Sequence, residues 1–358
     1  MLYPDELWMF KCNMLTSLLG LTQMDPHLLL VIFLPPLLFE SAYAMDNAIF
    51  DTQFAQIFLL AIPGVLVSSL LTAVIVWGLY QTWSSFTFGW LAGTILSATD
   101  PVAVVALLKE VGAAKTLGTL IEGESLLNDG SSVVLFTFIM SLVRAGVGVD
   151  EYDDQIPWTR DVIIEFLRII AQMLFLGPLF GYMMGHACCR TLRSVYNDMV
   201  VEVAVIISCT YLTFWISEVL MKSAAVLSVV MMGYVINNER LSISVEVHHF
   251  LHEFFEMIAW CLNTVIFLIC GVKLGEVIAS IVDPVHVIVD YDGIALSDMW
   301  RALCVYLGCN AVRLTTITLF SPMLKNLGTG FDWRTGLVVV WGGLRGSVGL
   351  ALALVVLH

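Results

Sequence analysis

Residues 91–108 read LAGTILSATDPVAVVALL, an apolar run that Thr99, Asp100 and Pro101 interrupt near its middle. Proline removes a backbone donor and disfavours helix at the residue before it, so the sequence predicts that the apolar segment 86–108 breaks at Thr99–Asp100. An ionisable side chain in apolar surroundings is costly unless it is paired, hydrated or functional. The break with its aspartate is therefore the first candidate for a site.

The composition around this segment is that of a membrane protein. Of 358 residues, 59% are hydrophobic and 13% are charged, whereas soluble proteins carry about 25% charged residues. The net charge of −14 comes without a basic cluster, which argues against a nucleic-acid partner and leaves membrane lipid as the expected surroundings.

Spanning a bilayer takes about 20 apolar residues, and the sequence predicts about ten spans within residues 26–357. We expect an all-α polytopic membrane protein with a short segment, 1–25, that is not a full helix, and no soluble domain. The predicted spans are 26–44, 54–80, 86–108, 117–143, 161–187, 199–221, 223–238, 250–272, 299–320 and 335–357.

A second interrupted segment lies late in the chain. Residues 335–357 read TGLVVVWGGLRGSVGLALALVVL, and the glycines that flank Arg345 weaken the helix there. Interrupted helices at corresponding positions of two halves of a chain indicate a transporter site.

The segment between the breaks, GESLLNDGSSVVLF at residues 123–136, carries a polar stripe in a membrane helix. Ser125 and Asp129 are four residues apart and share one face, while Glu124 and Asn128 lie on the adjoining strip. With the break at Thr99 and Asp100, the stripe forms a cage of hard oxygen ligands.

Such a cage suits Na⁺, held at Asp129 and Asp100, better than an anion or a soft metal. A desolvated carboxylate beside another carboxylate can hold either a proton or a cation, which is what exchange requires. Because arginine stays charged, we expect Arg345 to pair with Glu124 as a structural ion pair. The alternative is a polar network that only joins helices.

Four stretches of the sequence resemble one family, both in their residues and in their order along the chain. Together they are similar to the Na⁺/H⁺ exchangers of the monovalent cation/proton antiporter family, in the branch of the sperm-specific exchangers and the plant plasma-membrane salt-tolerance antiporters. The stretches are FLPPLLFESAY (33–43), SATDPVAVVALLKEVGAAKTLGTLIEGESLLNDG (97–130), CLNTVIFLICGV (261–272) and GGLRGSVGLALAL (342–354).

The resemblance implies an inverted-repeat fold of about thirteen helices with two broken, crossing helices, a homodimer and an elevator-like motion. Against that pattern the chain is expected to be truncated at both ends. The branch also carries cyclic-nucleotide-binding-like domains in tails beyond this chain, so a cyclic nucleotide would be a partner only through those domains.

The resemblance also implies residue roles. Asp129 matches the aspartate that carries cation and proton, and Asn128 matches the partner that marks electroneutral members. Thr99, Asp100 and Ser125 match the remaining cation ligands. The pair of Glu124 and Arg345 matches the buried ion pair of the family.

We therefore expect a secondary active antiporter that exchanges Na⁺, with K⁺ and Li⁺ as further candidates, for H⁺. Exchange would be electroneutral, would regulate intracellular pH and sodium, and would take place at the plasma membrane. No enzyme activity and no cofactor are expected. The alternatives are a passive cation channel or pore subunit, whose carboxylates would act as a selectivity site, and a truncated form that does not transport.

Two further patterns leave alternatives open. His248, His252 and Glu256 are four residues apart on one face of a predicted helix, and they suit a pH-sensing site, a metal site or a polar helix end. Three glycines at four-residue spacing form a ridge for close helix packing, either within the protein or at a dimer contact: Gly177, Gly181 and Gly185.

Overall fold

The computed structural model shows a helical bundle, and its helices coincide with the predicted spans. Within the described residues the chain contains no β-strand. The predicted N-terminal segment 1–25 lies outside them. The structure describes residues 26–80, 85–144, 160–195, 198–221, 224–239, 242–282, 296–328 and 330–357.

The described part of each of the ten predicted spans lies almost entirely in one helix or in two helices that follow each other closely. Six of the described helical stretches are long and apolar enough to span a membrane. The helices are α1 (Pro26–Ala44), α2 (Asn47–Ala61), α3 (Pro63–Leu79), α4 (Phe86–Ser97), α5 (Val102–Val111), α6 (Lys115–Arg144), α7 (Arg160–Ala171), α8 (Gly177–Ser194), α9 (Met199–Trp215), α10 (Ala225–Asn238), α11 (Val245–Val282), α12 (Leu296–Leu324), α13 (Trp333–Trp341) and α14 (Ser347–Leu357).

The helices form two groups. One group contains α2 to α6 with α12 and α13, the other contains α1 with α7 to α11, and α14 contacts helices of both. Helices α1 and α11 contact α14, and α10 contacts α6, so the two groups meet beside the broken segments. The glycine ridge of α8 belongs to the second group, because a Cβ added at Gly181 would lie 2.1 Å from the main-chain oxygen of Ser228 in α10. The ridge is therefore a helix contact within the protein.

The two predicted breaks are confirmed, and they cross each other. Helix α4 ends at Ser97 and α5 begins at Val102, while α13 ends at Trp341 and α14 begins at Ser347. At the crossing the main-chain N–H of Asp100 donates to the carbonyl of Leu344 at 2.8 Å.

The crossing requires a residue without a side chain on the second broken segment. A Cβ added at Gly346 would lie 2.2 Å from the Cβ of Asp100, which is far inside van der Waals contact. Gly346 therefore allows the two unwound segments to touch.

A buried glutamine holds the connection between α12 and α13. The Nε2 of Gln56 in α2 donates to the carbonyls of Leu324 at 3.1 Å, Leu327 at 2.7 Å and Gly330 at 3.3 Å. Gln56 has no solvent exposure. The carbonyls of Leu324 and Leu327 also accept from the main-chain N–H groups of Leu327 at 3.3 Å and Gly330 at 3.2 Å. The amide of Gln56 therefore ties to α2 a connection that is already hydrogen-bonded.

Candidate ion-binding site

The polar stripe of α6 faces the first break, as its spacing predicted. Glu124, Ser125 and Asn128 are buried, and Asp129 is partly exposed. The helix is continuous from Lys115 to Arg144, so its backbone polar groups are satisfied internally along the stripe and the side chains remain available to the neighbouring segment.

Two side chains of the stripe hold the unwound residues after α4. The hydroxyl of Ser125 donates a hydrogen bond to the main-chain oxygen of Thr99. The Nδ2 of Asn128 donates to the main-chain oxygen of Ser97 at 3.2 Å and to Oγ1 of Thr99 at 2.8 Å. The structure therefore brings Thr99, Ser125 and Asn128 together at the break.

Both predicted cation-holding carboxylates lie at this crossing. Asp129 and Asp100 are close enough for their charges to interact, and both are partly exposed. Oδ1 of Asp100 accepts from the main-chain N–H of Val102 at 3.0 Å, so this carboxylate also caps α5. A carboxylate is favourable at this place because a helix N-terminus attracts negative charge.

The predicted ion pair of Glu124 with Arg345 is wrong, because Glu124 pairs with Arg313 of α12. The Nη1 of Arg313 lies 2.6 Å from Oε1 of Glu124, and Nη2 lies 2.8 Å from Oε2. The side chains are 13% and 2% exposed, respectively. Two parallel hydrogen bonds are the arrangement that arginine and carboxylate favour. Nη2 also reaches the carbonyl of Val339 at 3.4 Å.

Arg345 has different neighbours. It lies in the second unwound segment, directly after the Leu344 carbonyl that binds Asp100. Its side chain is within hydrogen-bonding reach of the Cys309 thiol, and the charge of Arg313 is nearby. Helix α12 thus contributes both the cation that pairs with Glu124 and the surface on which Arg345 lies.

The two histidines proposed as pH sensors are on α11, which packs against α1 and α14. The ring of His248 lies 5.6 Å from that of Tyr43 in α1. His252, one turn later, is exposed. Within the described residues no three His, Cys, Asp or Glu side chains are grouped so that they could hold a metal ion. A pH-sensing role for these histidines stays a prediction.

The sequence interpretation missed Arg313, although a signal for it exists. Arg313 lies in the middle of a predicted span, as Arg345 does, and a charge at that depth is rare without a partner. The flanking glycines drew attention to Arg345 alone. Ser132, one turn after Asn128 on α6, was also missed, and its Oγ donates to Oδ1 of Asn128 at 3.0 Å.

Known proteins are similar to this chain in sequence and in fold. Sodium/hydrogen exchanger 7 of Arabidopsis thaliana is 36% identical over 93% of this chain and 27% of its own length. The Na⁺/H⁺ antiporter ApNhaP of Aphanothece halophytica is 33% identical over 93% of this chain and 58% of its own. The chain thus spans about a quarter of the length of the first relative and about three fifths of the length of the second.

A shorter relative is covered more fully. The Na⁺/H⁺ antiporter NhaP of Pseudomonas aeruginosa is 30% identical over 92% of this chain and 72% of its own length. Among solved structures, the sodium proton antiporter MjNhaP1 of Methanocaldococcus jannaschii superposes with a TM-score of 0.68 at 16% identity, over 96% of this chain and 76% of that one. This antiporter fold agrees with the predicted fold class.

The sequence also matches the profile described as "Sodium/hydrogen exchanger, transmembrane" over residues 9–358. That match covers nearly the whole chain, including both broken segments and the polar stripe. The chain is an integral membrane protein and belongs to the sodium/hydrogen exchanger family.

Proposed function

We propose that this protein exchanges Na⁺ for H⁺ across a membrane and that Asp129 carries both ions in turn. The observation that carries the proposal is the crossing of two unwound segments at Asp100 and Leu344, directly beside the polar stripe of α6. Interrupted helices that meet in a membrane form ion sites because their unpaired backbone groups can replace water.

The exchange follows from competition for one carboxylate. Na⁺ prefers hard oxygen ligands, and the crossing offers Asp129, Asp100, Thr99 and Ser125. When Na⁺ leaves, the Asp129 carboxylate remains close to Asp100 and can take up a proton in place of the cation. One group therefore binds either ion and not both.

We infer a stoichiometry of one to one. Asn128 is a neutral amide beside Asp129, so it adds no second proton carrier. Asp100 caps α5, and we expect it to remain ionised throughout the cycle. Current on a solid-supported membrane after a Na⁺ jump, recorded beside a pH-dye signal, should show proton movement without steady transport current.

The remaining features of the proposal concern the cell. We propose that the protein acts as a homodimer in the plasma membrane and regulates intracellular pH and sodium, with K⁺ and Li⁺ as further candidate cations. The named relatives are exchangers and antiporters, which favours exchange over the passive channel. A channel would conduct Na⁺ without an opposing proton gradient.

The direct test replaces the carrier. Asp129→Asn should abolish ²²Na⁺ uptake into acid-loaded proteoliposomes and leave the melting temperature near that of the unmodified protein, because an amide cannot be protonated at working pH. The matched control is Glu165→Gln, which makes the same chemical change in a carboxylate that is 46% exposed and pairs with Arg168 on the surface of α7. Unchanged uptake by Asp129→Asn would refute the assignment.

A further inference from the structure

We propose that Ser132 is a positioning residue of the exchange site: it orients the Asn128 amide and, through that amide, fixes the unwound chain at Thr99. This inference rests on the proposed Na⁺/H⁺ exchange. It assigns the geometry of the break to a side chain that is not itself placed to bind the cation.

The hydrogen bonds determine how the amide of Asn128 is oriented. Its Nδ2 faces the main-chain oxygen of Ser97, and a carbonyl can only accept, so the NH₂ end must point there. Its Oδ1 then points to the hydroxyl of Ser132, which donates at 3.0 Å. Ser132 has no solvent exposure and Asn128 has 1%. Solvent water therefore does not compete for the hydrogen bond to Ser97 or for the one from Ser132.

The orientation matters because the same NH₂ group holds a cation ligand. It donates to Oγ1 of Thr99 at 2.8 Å. If Ser132 no longer holds the oxygen end, Oδ1 loses a donor in a buried place, and an unsatisfied buried acceptor favours rearrangement. Rotation of the amide would then turn Oδ1 towards the carbonyl of Ser97, which can only accept and therefore repels it, and would remove the donor that now holds Oγ1 of Thr99. Thr99 would be held less firmly where Na⁺ binds.

The neighbouring serine provides a matched control. Ser131 is 5% exposed and lies on the same helix. Its hydroxyl donates to the main-chain oxygen of Leu127 at 2.9 Å, within α6 itself. Removing either hydroxyl deletes one buried hydrogen bond to an amide oxygen, but the acceptor of Ser131 is a main-chain carbonyl of α6, whereas the acceptor of Ser132 is the side chain that holds the break.

The experiment compares Ser132→Ala, Ser131→Ala and Ser132→Thr in proteoliposomes. Ser132→Ala should raise the KM for Na⁺ by about 3- to 10-fold, the size expected for one lost hydrogen bond, and change the maximal rate by less than about twofold. Ser131→Ala and Ser132→Thr should keep the KM of the unmodified protein. Equal KM values for the two alanine variants would overturn the proposal, as would a raised KM in Ser132→Thr.

A binding measurement separates this inference from the proposed function. Na⁺ that binds the folded protein raises its melting temperature. In detergent, Ser132→Ala should need about 3- to 10-fold more Na⁺ than Ser131→Ala for the same rise. If the unmodified protein shows this rise but does not exchange Na⁺ for H⁺, the proposed function fails and the role of Ser132 stands. If the two variants respond alike to Na⁺, the role of Ser132 fails, whatever the exchange assay shows.

Discussion

Arg313→Ala should destabilise the protein more than the double change Arg313→Ala with Glu124→Ala. The single change leaves the Glu124 carboxylate, 2% exposed, without the two hydrogen bonds that it receives at 2.6 and 2.8 Å. Breaking a buried ion pair from one side costs about 3–5 kcal/mol, whereas removing both partners is often close to neutral. The penalty thus comes from the charge left behind.

For a chain of 358 residues, a decrease of about 3–5 kcal/mol in the free energy of unfolding lowers the melting temperature by roughly 4–7 °C. The assay is thermal melting of the purified protein in detergent, followed by tryptophan fluorescence. The control is Arg345→Ala, which removes an arginine from the same region but leaves the pair of Glu124 and Arg313 intact. A double variant that melts below Arg313→Ala would refute the reasoning. So would an Arg345→Ala variant rescued by Glu124→Ala.

Two changes test the packing that supports the crossing. Gln56→Leu should lower the free energy of unfolding by about 1–3 kcal/mol, because the connection between α12 and α13 loses the buried amide that bonds to its main-chain carbonyls. An unchanged denaturation midpoint would count against that role. Gly346→Ala should abolish Na⁺ uptake, because the added Cβ would lie 2.2 Å from the Cβ of Asp100. The control Gly78→Ala should be tolerated, because nothing lies within 4 Å of its added Cβ. Equal uptake by the two variants would show that the two unwound segments need not touch.

The features of the fold that the sequence predicted are those with a local cause. Pro101 cannot donate and restricts the residue before it, so the first break could be predicted without knowing what it contacts. The glycines around Arg345 act in the same local way on the second break. That the two breaks cross came from the family resemblance, because no local preference specifies which distant segment a break will meet.

The same distinction between local causes and distant contacts holds for the site. Helical periodicity placed Ser125 and Asn128 towards one neighbour, and the structure confirms that both reach the unwound residues. Periodicity could not identify the partner of Glu124, because it specifies the face of a helix and not the helix opposite. Two arginines within predicted spans were available, and only the packing of α12 against α3 places Arg313 beside Glu124.

The choice of an amide at position 128 has two consequences that cannot be separated. An ionised aspartate there would accept hydrogen bonds only, so it could not donate to the oxygens of Ser97 and Thr99 as Asn128 does. It would also lie beside Asp129 as a second negative charge. The proposed one-to-one exchange and the geometry of the break therefore depend on the same side chain. A variant Asn128→Asp would alter both at once, which is why the role of the break is better tested through Ser132, whose replacement leaves the charge of the site unchanged.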